Sequence, residues 1–149
     1  MNRKEKSILT TIQSDFPLTR YPYRDMARRL GMPEERLLKK IAVLKKNGTI
    51  RRIGAVVCAR HVGYTSVLVS ARVAAASIPA VAGFVNAFAN VSHNYVREND
   101  FNLWCTFSAK TQREINAFSA ALKRQRGVSA VMVLPARKTF KINAEFPLK

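Results

Sequence analysis

A chain of 149 residues with 48% hydrophobic side chains has room for one compact domain or two small ones and enough apolar surface for packed cores, so it should fold. Its 26 Lys and Arg against 9 Asp and Glu give a formal net charge of +17, so a polyanionic partner is expected: nucleic acid, an anionic membrane surface or a multiply carboxylated small molecule. Two cysteines without CxxC spacing, Cys58 and Cys105, argue against a disulfide framework or a cysteine zinc site.

The excess charge is spread along the chain, at +10 over residues 1–63 and +7 over residues 64–149, so it is not a single basic tail. The N-terminus has no long apolar run, and the most apolar later stretch, "VLVSARVAAASIPAVAGFV", is broken by Arg72 and Pro79. The expectation is a soluble cytoplasmic protein with no membrane segment.

In chain order, the first third reads as three helices. Lys6, Leu9, Ile12 and Gln13 begin an amphipathic run that stops at Pro17. Tyr23 to Gly31 places Met26, Ala27 and Leu30 on one face and ends on a glycine suited to a helix C-terminus. After a short "GMP" turn, Leu37, Leu38, Ile41 and Leu44 repeat at helical spacing until Asn47-Gly48. Two helices joined by a tight Gly-containing turn, the second of them basic, predict a helix-turn-helix. Arg36, Lys39, Lys40, Lys45 and Lys46 would meet phosphates, but phosphate contact alone specifies no sequence. This second helix lacks Asn or Gln before Asn47, so it has little equipment for reading base edges.

From Thr49 the pattern turns extended, and "TIRRIGAVVCARHVGY" reads as a wing or linking strand. A strand at 65–73, a helix capped by Ser77 with Pro79 in its first turn, and a strand "VSHNYVR" follow. Next come the strand "NLWCTFSA", a helix with Ile115, Phe118, Ala121 and Leu122 on one face, and a fourth strand "SAVMVLPARKTFKI". The order βαββαβ is the ferredoxin-like split motif, with two helices on one face of a four-stranded antiparallel sheet. The fold class is therefore α+β, with a helix-turn-helix domain at 1–50, a linking strand or wing at 51–64 and a ferredoxin-like domain at 65–149. The uncovered sheet face calls for a partner, a ligand or both.

One stretch does not read as core. Alternation along a strand puts His93, Tyr95 and Arg97 on one face of "VSHNYVREND" and Asn94, Val96 and Glu98 on the other. His93 is then either a hydrogen-bonded sheet histidine or a proton donor. Arg97 is either a surface ion pair with Glu98 or Asp100 or a carboxylate anchor. Tyr95 and Trp104 serve either packing or ligand contact, and Asn94 and Asn102 are expected to fix the hairpin.

The two-module layout resembles the Lrp/AsnC family, and "MARRLGMPEERLLKKIAVLKKNGTIRRIGAVV" is similar to that family's DNA-binding segment. "HNYVRENDFNLWCTF" is similar to the H-N-Y-x-R…[YF]-N-x-W-F signature of sirohaem decarboxylase subunits, the Lrp/AsnC-like proteins of haem d1 and alternative haem biosynthesis. Cys105 departs from the aromatic expected there. The resemblance implies a carboxy-lyase that removes CO2 from two acetates of sirohaem and needs no cofactor, the iron belonging to the substrate. It also implies a paralogous subunit, or a second copy, against the sheet face, and a helix-turn-helix kept as scaffold, with weak or absent DNA binding. On this reading His93 and Arg97 are catalytic and Tyr95 and Trp104 bind substrate, while Arg51, Arg52, Arg60 and His61, on the link between the modules, either bind substrate propionates or are solvated charge. A DNA-binding regulator and a non-catalytic tetrapyrrole-binding protein are the competing readings.

Overall fold

The computed structural model describes residues 1–142 and 144–148. Helix α1 spans Arg3–Ser14 and begins with a capping box, in which Asn2 Oδ1 accepts from the Glu5 N–H and Glu5 Oε2 accepts from the Asn2 N–H, both at 2.9 Å. Helix α2 (Pro22–Arg29) opens on a proline, whose fixed φ suits a first helical position. Helix α3 (Glu34–Lys46) has Glu34 and Glu35 in its first turn and Lys45 and Lys46 in its last, each placed to complement the helix dipole. Ile8, Met26, Ala27, Leu37, Ile41, Leu44 and Ile50 close one core around these helices. The turn from Leu30 to Pro33 joins α2 to α3 as a helix-turn-helix.

The second core belongs to a sheet of β1 (Thr65–Val73), β2 (Val91–Val96), β3 (Leu103–Ala109) and β4 (Val128–Pro135), ordered β2-β3-β1-β4 with every pair antiparallel. Helices α4 (Ile78–Asn86) and α5 (Gln112–Lys123) cover one face, giving the expected ferredoxin-like α+β arrangement. Val67, Val69, Ala71 and Val73 alternate inward on β1 and Leu103, Cys105, Phe107 and Ala109 on β3. They meet Val81 and Val85 of α4 and Ile115, Phe118 and Leu122 of α5. Phe107 stacks on Phe118 at 4.1 Å between ring centroids, and Phe88 packs edge-on against both.

Four expectations change. Residues 51–64 form no strand; the segment is irregular and ends in a 3-10 turn at Ala59–Val62, because extended backbone becomes a strand only where another strand pairs with it. The fourth strand stops at Pro135, which lacks the N–H needed to continue a ladder. Ser77 precedes α4 but makes no capping bond, since its own backbone is already helical. Instead its side chain lies against Gly127, where a Cβ would fall 2.2 Å from Ser77 Oγ and where φ is +84°.

The chain forms two compact units, Met1–Val56 with Lys141–Lys149, and Val57–Phe140. The C-terminal segment groups with the helices, although the sequence reading assigned it to the sheet domain. Gln13 Nε2 donates to the Phe146 carbonyl (2.8 Å), and the Phe146 N–H donates to Gln13 Oε1 (3.3 Å), which satisfies an isolated peptide unit from one side chain. Asn143 and Lys149, part of that expected domain, lie outside the described residues.

Candidate functional site on the open sheet face

The uncovered face of the sheet collects the side chains that alternate away from α4 and α5. In register, Tyr95 pairs with Trp104, Trp104 with Ser70, and Ser70 with Met132, so these four form a row across all four strands. The next row runs His93, Thr106, Leu68 and Leu134. A register shift between Val91 and His93 gives β2 its local irregularity just before His93.

Asn94 turns to the helix side, where its Nδ2 donates to the Ala82 carbonyl (3.3 Å) and to Asn86 Oδ1 (2.9 Å) and ties β2 to α4. His93, Tyr95 and Arg97 share the other side. The His93 and Tyr95 rings stack with centroids 5.8 Å apart and an interplanar angle of 28°. The Arg97 guanidinium lies 5.9 Å from the Tyr95 ring centroid and 6.0 Å from that of Trp104. All three hairpin residues are exposed.

Ser92 Oγ sits 2.9 Å from His93 Nδ1, which leaves Nε2 as the ring nitrogen for any ligand on this face. Arg97 makes no ion pair among the described residues, and Asp100, one of its expected partners, pairs with Arg72 at 3.2 Å instead. A guanidinium without a carboxylate, set among aromatic rings, is equipped to receive one from a ligand.

A cavity of about 230 Å³ opens beside Arg97, lined by Leu68, Tyr95, Arg97, Trp104, Cys105 and Thr106. That volume admits a carboxylate-bearing arm but falls below the about 300–1,000 Å³ of pockets that engulf a drug-sized ligand. A larger ligand has to lie over the face. Leu68, Met132 and Leu134, each about two-fifths exposed, extend an apolar floor from the cavity. Ser70 is fully buried beneath, and its hydroxyl has no partner among the described residues.

Leu68 and Thr106 were not among the residues singled out from sequence. Alternation along one strand carries Trp104 to Thr106, but Leu68 is reached only through the strand register, which sets Thr106 opposite His93 and Leu68 opposite Thr106. Asn102 fixes the hairpin as expected, its amide exchanging bonds of 3.0 and 2.8 Å with the Val73 backbone.

Arg60 and His61 sit exposed on the 3-10 turn before β1 and make no hydrogen bond, ion pair or ring contact with the hairpin side chains among the described residues. Arg51 and Arg52 belong to the helical unit, where they line a cavity of about 330 Å³ with Leu9, Ile12, Gln13 and Phe146 among its walls. Burial pushes the Cys105 thiol up to about 11, so this sulfur is an unreactive core group. Among the described residues no cluster of His, Cys, Asp or Glu is arranged to hold a metal ion, and no helix is long and apolar enough to cross a membrane.

Residues 5–51 match the family model described as the siroheme decarboxylase NirDL-like HTH domain, and residues 61–141 match the AsnC-like ligand binding domain. The chain is 36% identical over 146 residues to the siroheme decarboxylase alpha subunit of Desulfovibrio desulfuricans, covering 98% of this chain and 84% of that one. Identity to the siroheme decarboxylase NirD subunit of Stutzerimonas stutzeri is 34% over 143 residues, with coverage of 96% and 93%. The solved siroheme decarboxylase NirDL, in co-complex with an iron-uroporphyrin III analogue, superposes with a TM-score of 0.68 at 33% identity. That alignment covers 95% of this chain and 48% of the NirDL chain, so the present chain spans about half its length. AsnC of E. coli gives a TM-score of 0.78 at 14% identity over 99% of both chains, a likeness of fold alone.

Proposed function

This chain belongs to the sirohaem decarboxylase subunits of the Lrp/AsnC-like family, and from that premise we propose that its hairpin takes part in removing CO2 from two acetate side chains of sirohaem to give didecarboxysirohaem. The observation that supports this reading is the grouping of His93, Tyr95 and Arg97 on one exposed sheet face, with Arg97 lacking a protein carboxylate among the described residues.

The chemistry follows from what each group can do. Sirohaem is a polycarboxylate, so a cation that cannot lose its proton is suited to hold it; a charge-assisted Arg–carboxylate contact is worth about 1.5–3 kcal/mol. Arg97 takes that role, with the Tyr95 and Trp104 rings restricting its guanidinium and offering faces to the macrocycle. In the reacting arm the bond between the methylene and the carboxylate carbon breaks, CO2 leaves, and the electron pair stays on the methylene carbon, conjugated with the pyrrole. A proton delivered to that carbon completes the methyl group. His93 Nε2 is the donor in this scheme: as imidazolium it gives its proton through Nε2 while Nδ1 remains engaged with Ser92, and water reprotonates it afterwards. The step consumes one proton per CO2 and no electrons, so no cofactor is called for beyond the iron carried by the substrate.

The cavity beside Arg97 takes one arm, which leaves the macrocycle across the open face and half of its surface facing away from this chain. We place turnover in an assembly in which a paralogous subunit, or a second copy, covers that face. Relatives named as subunits, and a NirDL chain about twice as long, support it. The helix-turn-helix serves as scaffold with weak DNA affinity, and the assembly works in the cytoplasm.

Replacing His93 with Ala tests the proposal. Loss of a positioned general acid lowers the decarboxylation rate by about 10²–10⁴-fold while sirohaem still binds. Turnover at the unaltered rate would remove His93 from the mechanism.

A further inference from the structure

We propose that Arg72 is a positioning residue that keeps Arg97 available to a substrate carboxylate by holding Asp100 away from it. The inference rests on the reading of Arg97 as the carboxylate anchor.

Two acidic residues, Glu98 and Asp100, lie in the turn that directly follows Arg97. Both carboxylates are close enough in sequence to compete for the Arg97 guanidinium. They do not pair with it here. Asp100 Oδ2 is 3.2 Å from Arg72 Nη2, on the far end of β1. The same guanidinium lies 5.2 Å from the centroid of the Phe101 ring, so one side chain grips two consecutive residues of the turn. Asn102 adds a second tie through its paired bonds to the Val73 backbone. The turn is thereby docked on β1, and Arg97 folds back over Tyr95 and Trp104.

Asp100 carries the formal charge that a substrate carboxylate would bring. Released from Arg72, it becomes an intramolecular competitor for Arg97 at high effective concentration. Exposed ion pairs are weak, so the competition is modest and salt-sensitive.

The test is sirohaem affinity by absorption titration, together with KM and kcat in whichever assembly turns sirohaem over, for R72Q, R72Q/D100N and R97Q. R72Q is expected to weaken binding and raise KM about two- to fivefold with kcat nearly unchanged, the range set by a surface ion pair. The shift fades at high ionic strength, and R72Q/D100N returns to the parent value. If R72Q leaves affinity unchanged, or if removing the Asp100 charge fails to restore it, Arg72 does not act by sequestering Asp100. If R97Q itself leaves affinity unchanged, the carboxylate-anchor reading falls and this inference with it. A weakened R97Q beside an unaffected R72Q overturns the inference alone.

Discussion

The helical unit and the sheet unit use charge in opposite ways. Residues 1–63 carry the larger excess, yet the ion pairs Arg24–Glu34, Arg28–Asp25, Arg29–Asp15 and Lys39–Glu35 all fall there, joining neighbouring turns and helices at the surface. The sheet unit holds the single pair Arg72–Asp100 among the described residues and leaves Arg97 to aromatic rings. Net charge therefore points to the class of partner, whereas the candidate site is marked by a cation that converges with aromatic and imidazole rings and lacks an acid of its own.

That comparison breaks most easily at Arg97. R97Q should weaken sirohaem binding by roughly 10- to 100-fold, the loss of about 1.5–3 kcal/mol from one charge-assisted carboxylate contact. The double change Lys45→Gln and Lys46→Gln on α3 should leave the same titration within about twofold, in keeping with surface charge far from any pairing role. Equal losses from both variants would mean that bulk charge, not the hairpin, binds the ligand.

A second contrast concerns folding. The two units have separate hydrophobic cores, and Gly127 belongs to the sheet unit. Gly127→Ala puts a Cβ against Ser77 at positive φ, so it should cost about 1–3 kcal/mol in that unit's stability, read as a lower midpoint in denaturant for Trp104 fluorescence. An unchanged midpoint would show that the Ser77 contact relaxes freely.

The contrast in DNA affinity sharpens the same point. If the helix-turn-helix meets only phosphates, about four of them, apparent affinity falls about 100-fold between 50 and 200 mM salt and does not depend on sequence. A salt-resistant, sequence-specific footprint would assign the helical unit a function of its own.

The smallest effect is at the cysteines. Below its ordinary value near 9.0 the Cys105 thiol is neutral in both folded and unfolded chains, and the preference of the fold for the neutral thiol is fully present. That contribution is lost as pH rises through about 11, where the buried sulfur would have to ionise. At mildly alkaline pH iodoacetamide should modify exposed Cys58 in the native protein and reach Cys105 only in denaturant. Rapid native labelling of Cys105 would contradict its burial.

Much of this was legible in the sequence for identifiable reasons. Period-two alternation placed His93, Tyr95 and Arg97 together, and helical periodicity with glycine and proline punctuation located the five α-helices of the described residues. The remainder depended on pairing between distant residues. Leu68, and the placing of Thr106 opposite His93, entered through strand register, which includes an irregularity at Val91 to His93 that no local pattern announces. Residues 51–64 have strand-like composition but no strand beside them to pair with. The return of Phe146 to Gln13 joins residues 133 positions apart, and the capture of Asp100 by Arg72 joins residues 28 apart, beyond the reach of turn or helix rules.

The central claim is that this chain works on sirohaem through its sheet face. The most direct measurement is to incubate the purified chain with sirohaem under anaerobic conditions, alone and with lysate from its source, and to follow the pigment by mass spectrometry. Stepwise loss of two molecules of CO2 is the predicted result, and loss that appears only with lysate would identify a missing partner subunit. Pigment of unchanged mass in both incubations would contradict the account.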